Sequence, residues 1–176
     1  MTIYYPPSGS PWRNARSVVA GALAAAALSA CSSSKPPPPP PPPTRVSLEI
    51  SAAADANATP DGQGAPVSIR VYQLAAKSAF EGAEFYQLYH SDAATLGPDL
   101  IKKDEMLLSP GTSKSMPLMP ADTVHTIAVF AAYADFQNVS WRADSDVPPH
   151  QTTIMTVTAD RSGIKLTAAP GKTAGP

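Results

Sequence analysis

The chain has 176 residues and a formal net charge of −1, with 13 Lys+Arg against 14 Asp+Glu and 43% hydrophobic side chains. That length supports one domain with a sizeable core. The near-neutral charge and lack of a Lys/Arg run exclude the clustered basic face of a nucleic-acid binder and electrostatic adhesion to a membrane surface. The single cysteine, Cys31, excludes an internal disulfide, so its role has to be sought in its position.

Arg13 and Arg16 precede an apolar stretch, Val18 to Ala27, and Leu28-Ser29-Ala30 leads to Cys31. This is the layout of a signal peptide over residues 1–30. The apolar stretch is too short for a spanning helix, which needs about 20 residues. Leu28-Ser29-Ala30-Cys31 resembles the bacterial lipobox, which implies cleavage before Cys31 and diacylglycerol on its thiol. Loss of Arg13 and Arg16 with the signal leaves 11 basic against 14 acidic residues, a net charge of −3. Ser32 stands where an aspartate tends to retain such lipoproteins in the inner membrane. Its presence points to the outer membrane, with the lipid bilayer as one partner.

Residues 31–43 read as the lipidated cysteine and a tether. Pro36 to Pro43 is a run of eight prolines. Such a run lacks backbone donors and adopts polyproline II, reaching about 25 Å.

The folded region is expected over residues 44–168. Arg45 to Ile50 and Pro66 to Leu74 alternate apolar and polar side chains and read as strands. Between them Asp55 to Ala65, rich in Asn, Asp, Gly and Pro, reads as an exposed loop. Phe80, Phe85, Leu88 and Tyr89 fall at helical spacing, which predicts a short amphipathic helix over 79–91. Lys103 to Leu108 reads as a strand, Ser109-Pro110-Gly111-Thr112 as a turn, and Ser113 to Leu118 as the return strand. Thr123 to Tyr133 is an apolar, β-branched run suited to a central strand. Asp135 to Asn138 predicts a turn, and Val139 to Arg142 extended chain. Gln151 to Thr158 alternates again, and Asp160 to Gly163 turns into a last strand at Ile164 to Leu166. About eight short strands with turns every 8–12 residues predict an all-β, two-sheet β-sandwich with a small helical insertion. Residues 169–176 are expected to form a disordered tail.

The chemistry of catalysis and metal binding is missing from this pattern. His90, His125 and His150 are far apart in sequence, with no ligand at metal spacing on the same element. Asp55-Ala56-Asn57-Ala58-Thr59-Pro60-Asp61-Gly62 alternates oxygen ligands as calcium loops do. However, Pro60 stands where such a loop needs glycine, and Pro66 where it needs a bidentate Glu. Gly171-Lys172-Thr173 resembles the end of a phosphate-binding loop, but Leu166 replaces the required glycine. No Gly-x-Ser-x-Gly elbow occurs and the carboxylates are scattered. Neither an enzyme nor a cofactor is expected.

The order of features carries a resemblance. A lipobox precedes a strand ending in Ala52-Ala53-Ala54-Asp55. Arg70-Val71-Tyr72-Gln73-Leu74 follows, then Leu96-Gly97, Ser109-Pro110-Gly111, and the Ala132-Tyr133 to Trp141-Arg142 pair. Over about residues 46–157 the chain resembles the outer-membrane lipoprotein of type VI secretion systems, the TssJ-type family. The resemblance implies a transthyretin-like sandwich and a structural role in the envelope-spanning complex. It also implies binding to the C-terminal periplasmic region of the large IcmF-type inner-membrane protein. The loop between the first two strands is the implied contact, here with Asp55, Asn57, Thr59, Asp61, Gly62, Gln63 and Gly64. The eight-proline tether departs from the family pattern, as does Gln63, where a basic residue would be expected.

Two other functions fit parts of the pattern. An Ig-like sandwich would suit a periplasmic glycan- or peptidoglycan-binding lipoprotein, which would expose aromatics on one face. An envelope enzyme would need a catalytic group that is not visible. Arg70 and Arg142 read as surface charges, whereas Tyr72, Tyr133 and Trp141 read as packing.

Overall fold

A computed structural model describes residues 38–171. Cys31, the signal segment, the start of the tether and residues 172–176 lie outside the described residues. Eight strands form two four-stranded sheets. The first has the order β4-β1-β7-β8, from β1 (Arg45–Ala52), β4 (Ser113–Leu118), β7 (Thr152–Asp160) and β8 (Gly163–Pro170). The second has the order β3-β2-β5-β6, from β2 (Val67–Leu74), β3 (Leu100–Leu108), β5 (Thr126–Ala132) and β6 (Arg142–Asp146). All neighbours pair antiparallel except β1 with β7.

The core follows from the side-chain alternation. Val46, Leu48 and Ile50 of β1 and Met155, Val157 and Ala159 of β7 point inward, against Val67, Ile69, Val71, Ile127 and Val129. A second core lies on the outer face of the other sheet. There Tyr72, Leu74, Ala128 and Phe130 are covered by Phe80, Phe85, Leu88 and Leu96 from the helical insertion. Strands β2 and β5 are therefore buried on both faces, which is why Thr126 to Ala132 reads as one apolar run rather than an alternation.

The structure corrects several element boundaries. The expected single helix is two, α1 (Ser78–Gly82) and α2 (Phe85–Leu96), broken at Ala83 and Glu84 and distorted at Ser91. Glu84 and Gln87 form a reciprocal capping box that starts α2 afresh. Strand β3 begins at Leu100, ahead of the expected Lys103. Residues 139–141 are turn and bridge, and the edge strand starts at Arg142. Strand β8 runs through Ala169 to Pro170, which pairs with Thr153, so the expected tail does not begin at residue 169.

Two arginines are more than surface charges. Arg70 donates from Nη1 to the Leu88 carbonyl at 2.8 Å and lies 3.3 Å from Asp92 Oδ2. Arg142 donates from Nη1 to the carbonyls of Phe80 at 2.9 Å and Ala83 at 2.6 Å. Each ties the insertion to the sheet beneath by satisfying carbonyls near a helix end or a break within it.

Candidate functional site at the loop pole

Strand direction sorts the connections. β1 runs away from Thr44, and β7 is parallel to it. β3 runs the same way because it turns tightly at Ser109–Thr112 into β4, which is antiparallel to β1. β5 follows β3, since both are antiparallel to β2. The β1–β2, β3–β4, β5–β6 and β7–β8 connections therefore gather at one end of the sandwich. The chain enters β1 at the other end. Eight residues at ~3.3 Å each separate the two poles along β1 by about 26 Å.

The β1–β2 loop is a shaped element. Asn57 adopts φ +50 and bridges two segments: its Nδ2 donates to the Pro66 carbonyl at 2.9 Å, and its Oδ1 accepts from the Ala134 amide at 2.8 Å. The Gln63 carbonyl accepts from the Thr59 amide at 2.8 Å and from its hydroxyl at 3.1 Å. Gly62, at φ +78, turns the tip and donates to the Thr59 carbonyl at 2.8 Å. Gly64 passes so close to the Ala54 carbonyl that an added Cβ would lie 2.1 Å from its oxygen and 3.1 Å from Pro110. Only glycine permits that approach.

The seven loop residues named from the sequence therefore divide by what they do here. Asn57, Thr59, Gly62 and Gly64 hold the shape of the loop. Asp55, Asp61 and Gln63 make no side-chain hydrogen bond among the described residues; Asp61 and Gln63 are exposed and Asp55 half-buried. These three remain available to another molecule.

The sequence reading missed the loop's neighbours. Asn57, Ala58, Thr59, Pro60 and Ala65 border an open cavity of about 530 Å³, whose opposite wall is Tyr133, Ala134, Asp135, Val139 and Arg161. Tyr133 is 3% exposed and its hydroxyl has no hydrogen-bond partner among the described residues. Burial, with the charges of Asp160 and Asp55, pushes the phenol well above its ordinary pKa, so it stays protonated. Asp160 is held below the usual carboxylate range by hydrogen bonds from Ser162 and by Lys165 at 3.2 Å. No local motif links Tyr133, Asp135 and Arg161 to the loop; only the strand order does.

A second depression of about 320 Å³ shares Asn57, Tyr133 and Ala134 with the first. Its far side is aromatic. Phe85 and Phe136 stack with centroids 4.1 Å apart, and Tyr86 and Tyr89 stand 57% and 42% exposed. Among the described residues, no group of three His, Cys, Asp or Glu converges as metal ligands would, and no helix is long and apolar enough to cross a membrane.

Comparison with known proteins adds an independent observation. The chain matches the family described as type VI secretion lipoprotein, VasD, EvfM, TssJ, over residues 44–162. It is similar to the type VI secretion lipoprotein TssJ1 from Pseudomonas aeruginosa, with 34% identity and a TM-score of 0.71, covering 74% of this chain and 100% of that one. It is also similar to Serratia marcescens Lip, a membrane-bound component of the type VI secretion system. That match has 27% identity and a TM-score of 0.65, over 71% and 98% of the two chains. A chain of a type VI membrane complex shares the fold at 22% identity and a TM-score of 0.61, over 70% and 98%. No curated protein matches the chain.

Proposed function

The chain belongs to the type VI secretion lipoprotein family, and on that premise we propose that it is the outer-membrane-anchored structural lipoprotein of the type VI membrane complex. In this reading acylated Cys31 holds the periplasmic face of the outer membrane, and the loop pole binds the periplasmic C-terminal region of the IcmF-type inner-membrane protein. The observation that carries it is the polarity of the sandwich. All four odd-to-even connections lie at the pole opposite the entry of the tether. A tether at one end and recognition loops at the other suit a bridge between two membranes. The role is structural and non-enzymatic.

Replacing residues 58–63 by a Gly/Ser linker of equal length tests the contact. The variant is expected to fold with unchanged β-sheet circular dichroism. It should lose at least tenfold in affinity for the purified periplasmic region of the IcmF-type protein, measured by calorimetry. A folded variant that binds as tightly as wild type removes the loop from the contact.

The exposed Tyr86 and Tyr89 favour a second reading, a glycan-binding lipoprotein, because sugar rings stack on such faces. Sedimentation of the full chain with purified peptidoglycan, abolished by Tyr86→Ala with Tyr89→Ala, would support it. Absence of co-sedimentation would eliminate it.

A further inference from the structure

We propose that the cavity at the loop pole receives a basic side chain, Lys or Arg, from the protein partner. The partner surface facing this pole is then cationic. This inference rests on the reading above that the loop pole makes the partner contact.

Three carboxylates surround the cavity or its loop, at Asp55, Asp61 and Asp135. None has a cation at ion-pair distance among the described residues. Asp160, the fourth at this pole, is already matched by Lys165 at 3.2 Å. Asp135 Oδ1 accepts from Asn138 Nδ2 at 2.6 Å, which fixes the carboxylate without neutralising it. Arg161 is the one cation lining the cavity, and it is exposed and unpaired among the described residues. The unmatched balance is therefore negative.

Acidic side chains alone would serve only solubility. The cavity adds a reason to read them as a site. At about 530 Å³ it has room for a long side chain. Ala58, Pro60, Val139 and the ring of Tyr133 offer apolar walls for an aliphatic stem. Tyr133 lines this cavity, and its hydroxyl is buried without a hydrogen-bond partner among the described residues, so a guanidinium or ammonium that reached it would supply the missing bond. Gln63, exposed and uncharged beside the loop tip, adds no cation against the carboxylates.

Signed charge substitutions provide the test. Full-length chain, extracted from membranes in detergent, is titrated with the purified periplasmic C-terminal region of the IcmF-type protein at low and high salt. Asp61→Lys combined with Asp135→Lys should weaken binding roughly tenfold or more at low salt, with a smaller difference at high salt. Arg161→Ala should leave binding unchanged or tighten it by about twofold to threefold, because it removes a like charge from the rim. Arg45→Glu, at the opposite pole, is the control for net charge and should have no effect. All four positions are exposed, and unchanged thermal melts confirm folding. If the double variant binds as wild type or more tightly, or Arg161→Ala weakens binding, the partner presents an acidic or neutral surface. The inference is then overturned while the loop-pole contact stands. If wild type does not bind at all, the proposed partner is wrong and the inference falls with it.

Discussion

Asp92→Ala is expected to destabilise the domain by about 3 kcal/mol, the largest loss predicted for a single side chain, and to loosen helix α2 from the sheet. Asp92 is buried among charges. Its Oδ2 lies 3.0 Å from Lys103 Nζ and 3.3 Å from Arg70 Nη1, and accepts from the Tyr72 hydroxyl at 3.1 Å. Its Oδ1 accepts from the Ala93 amide at 2.8 Å. The Asp92 side chain is 10% exposed, and those of Arg70 and Lys103 are 15% and 35%. Removing the carboxylate takes their shared partner from two cations and a buried phenol, although Arg70 keeps the half-exposed Glu105 at 3.3 Å. That costs more than the pair contributed, because the desolvation of the remaining groups is no longer offset. Lys103 can turn to water, which places the estimate at the lower end of the range for broken buried pairs.

The pH dependence carries the same signature. Burial alone would raise the Asp92 carboxyl, but hydrogen bonds from Lys103 and Tyr72 outweigh it and hold the group below the usual carboxylate range. A depressed folded-state pKa adds stability that is fully present above the unfolded value of 3.8 and is lost as pH falls below it. Urea midpoints of the wild type should therefore drop between pH 5 and pH 3 more steeply than those of Asp92→Asn. Equal midpoints for wild type and Asp92→Ala at pH 7 would refute the account. Substituting Arg70→Met and Lys103→Met alongside Asp92→Leu should recover part of the loss, since apolar replacements remove the stranded charges.

Much of the fold was legible because its signals are local. Val67 to Leu74 alternates, Ser109 to Thr112 carries Pro and Gly at turn positions, and Gly111 indeed has φ +75. Every expected strand in the central region appears, shifted by a few residues. What was not legible depends on tertiary contact. Arg70 and Arg142 looked like surface charges because their partners, the Leu88, Phe80 and Ala83 carbonyls, become partners only when the insertion lies over the sheet. The break between α1 and α2 was hidden because Phe80 and Phe85 share one core and continue the helical spacing across it. Ala169 and Pro170 have no strand propensity of note, and pairing with β7 extends the sheet through them. At the site, the loop itself was visible in its composition. Tyr133, Asp135 and Arg161 were not, since strand order alone brings residues so distant in sequence to one cavity.

Cys31→Ser is expected to have the largest effect on function, a loss of secretion to the level of a strain lacking the gene. The family is one of lipoproteins, and Cys31 is the one cysteine in the chain. One acyl chain gives marginal membrane binding, at about 0.8 kcal/mol per buried CH₂, whereas two or more make a stable anchor. On the proposed reading the substitution removes every acyl chain at once, and a chain cleaved before Cys31 would carry a net charge of −3, which offers no electrostatic substitute at an anionic surface. The variant should fractionate with soluble periplasmic proteins. Its loop pole lies about 26 Å along β1 from the strand's first residue, Arg45, and should be unaffected, so affinity for the purified IcmF-type region should equal that of wild type. The two readouts separate anchoring from recognition. The proposed bridge fails when either foot is cut, so loss of secretion with binding intact would locate the defect in the membrane foot. If Cys31→Ser protein remains in the membrane fraction and secretion continues, the lipid anchor is dispensable. The chain would then have to be held by protein contacts alone.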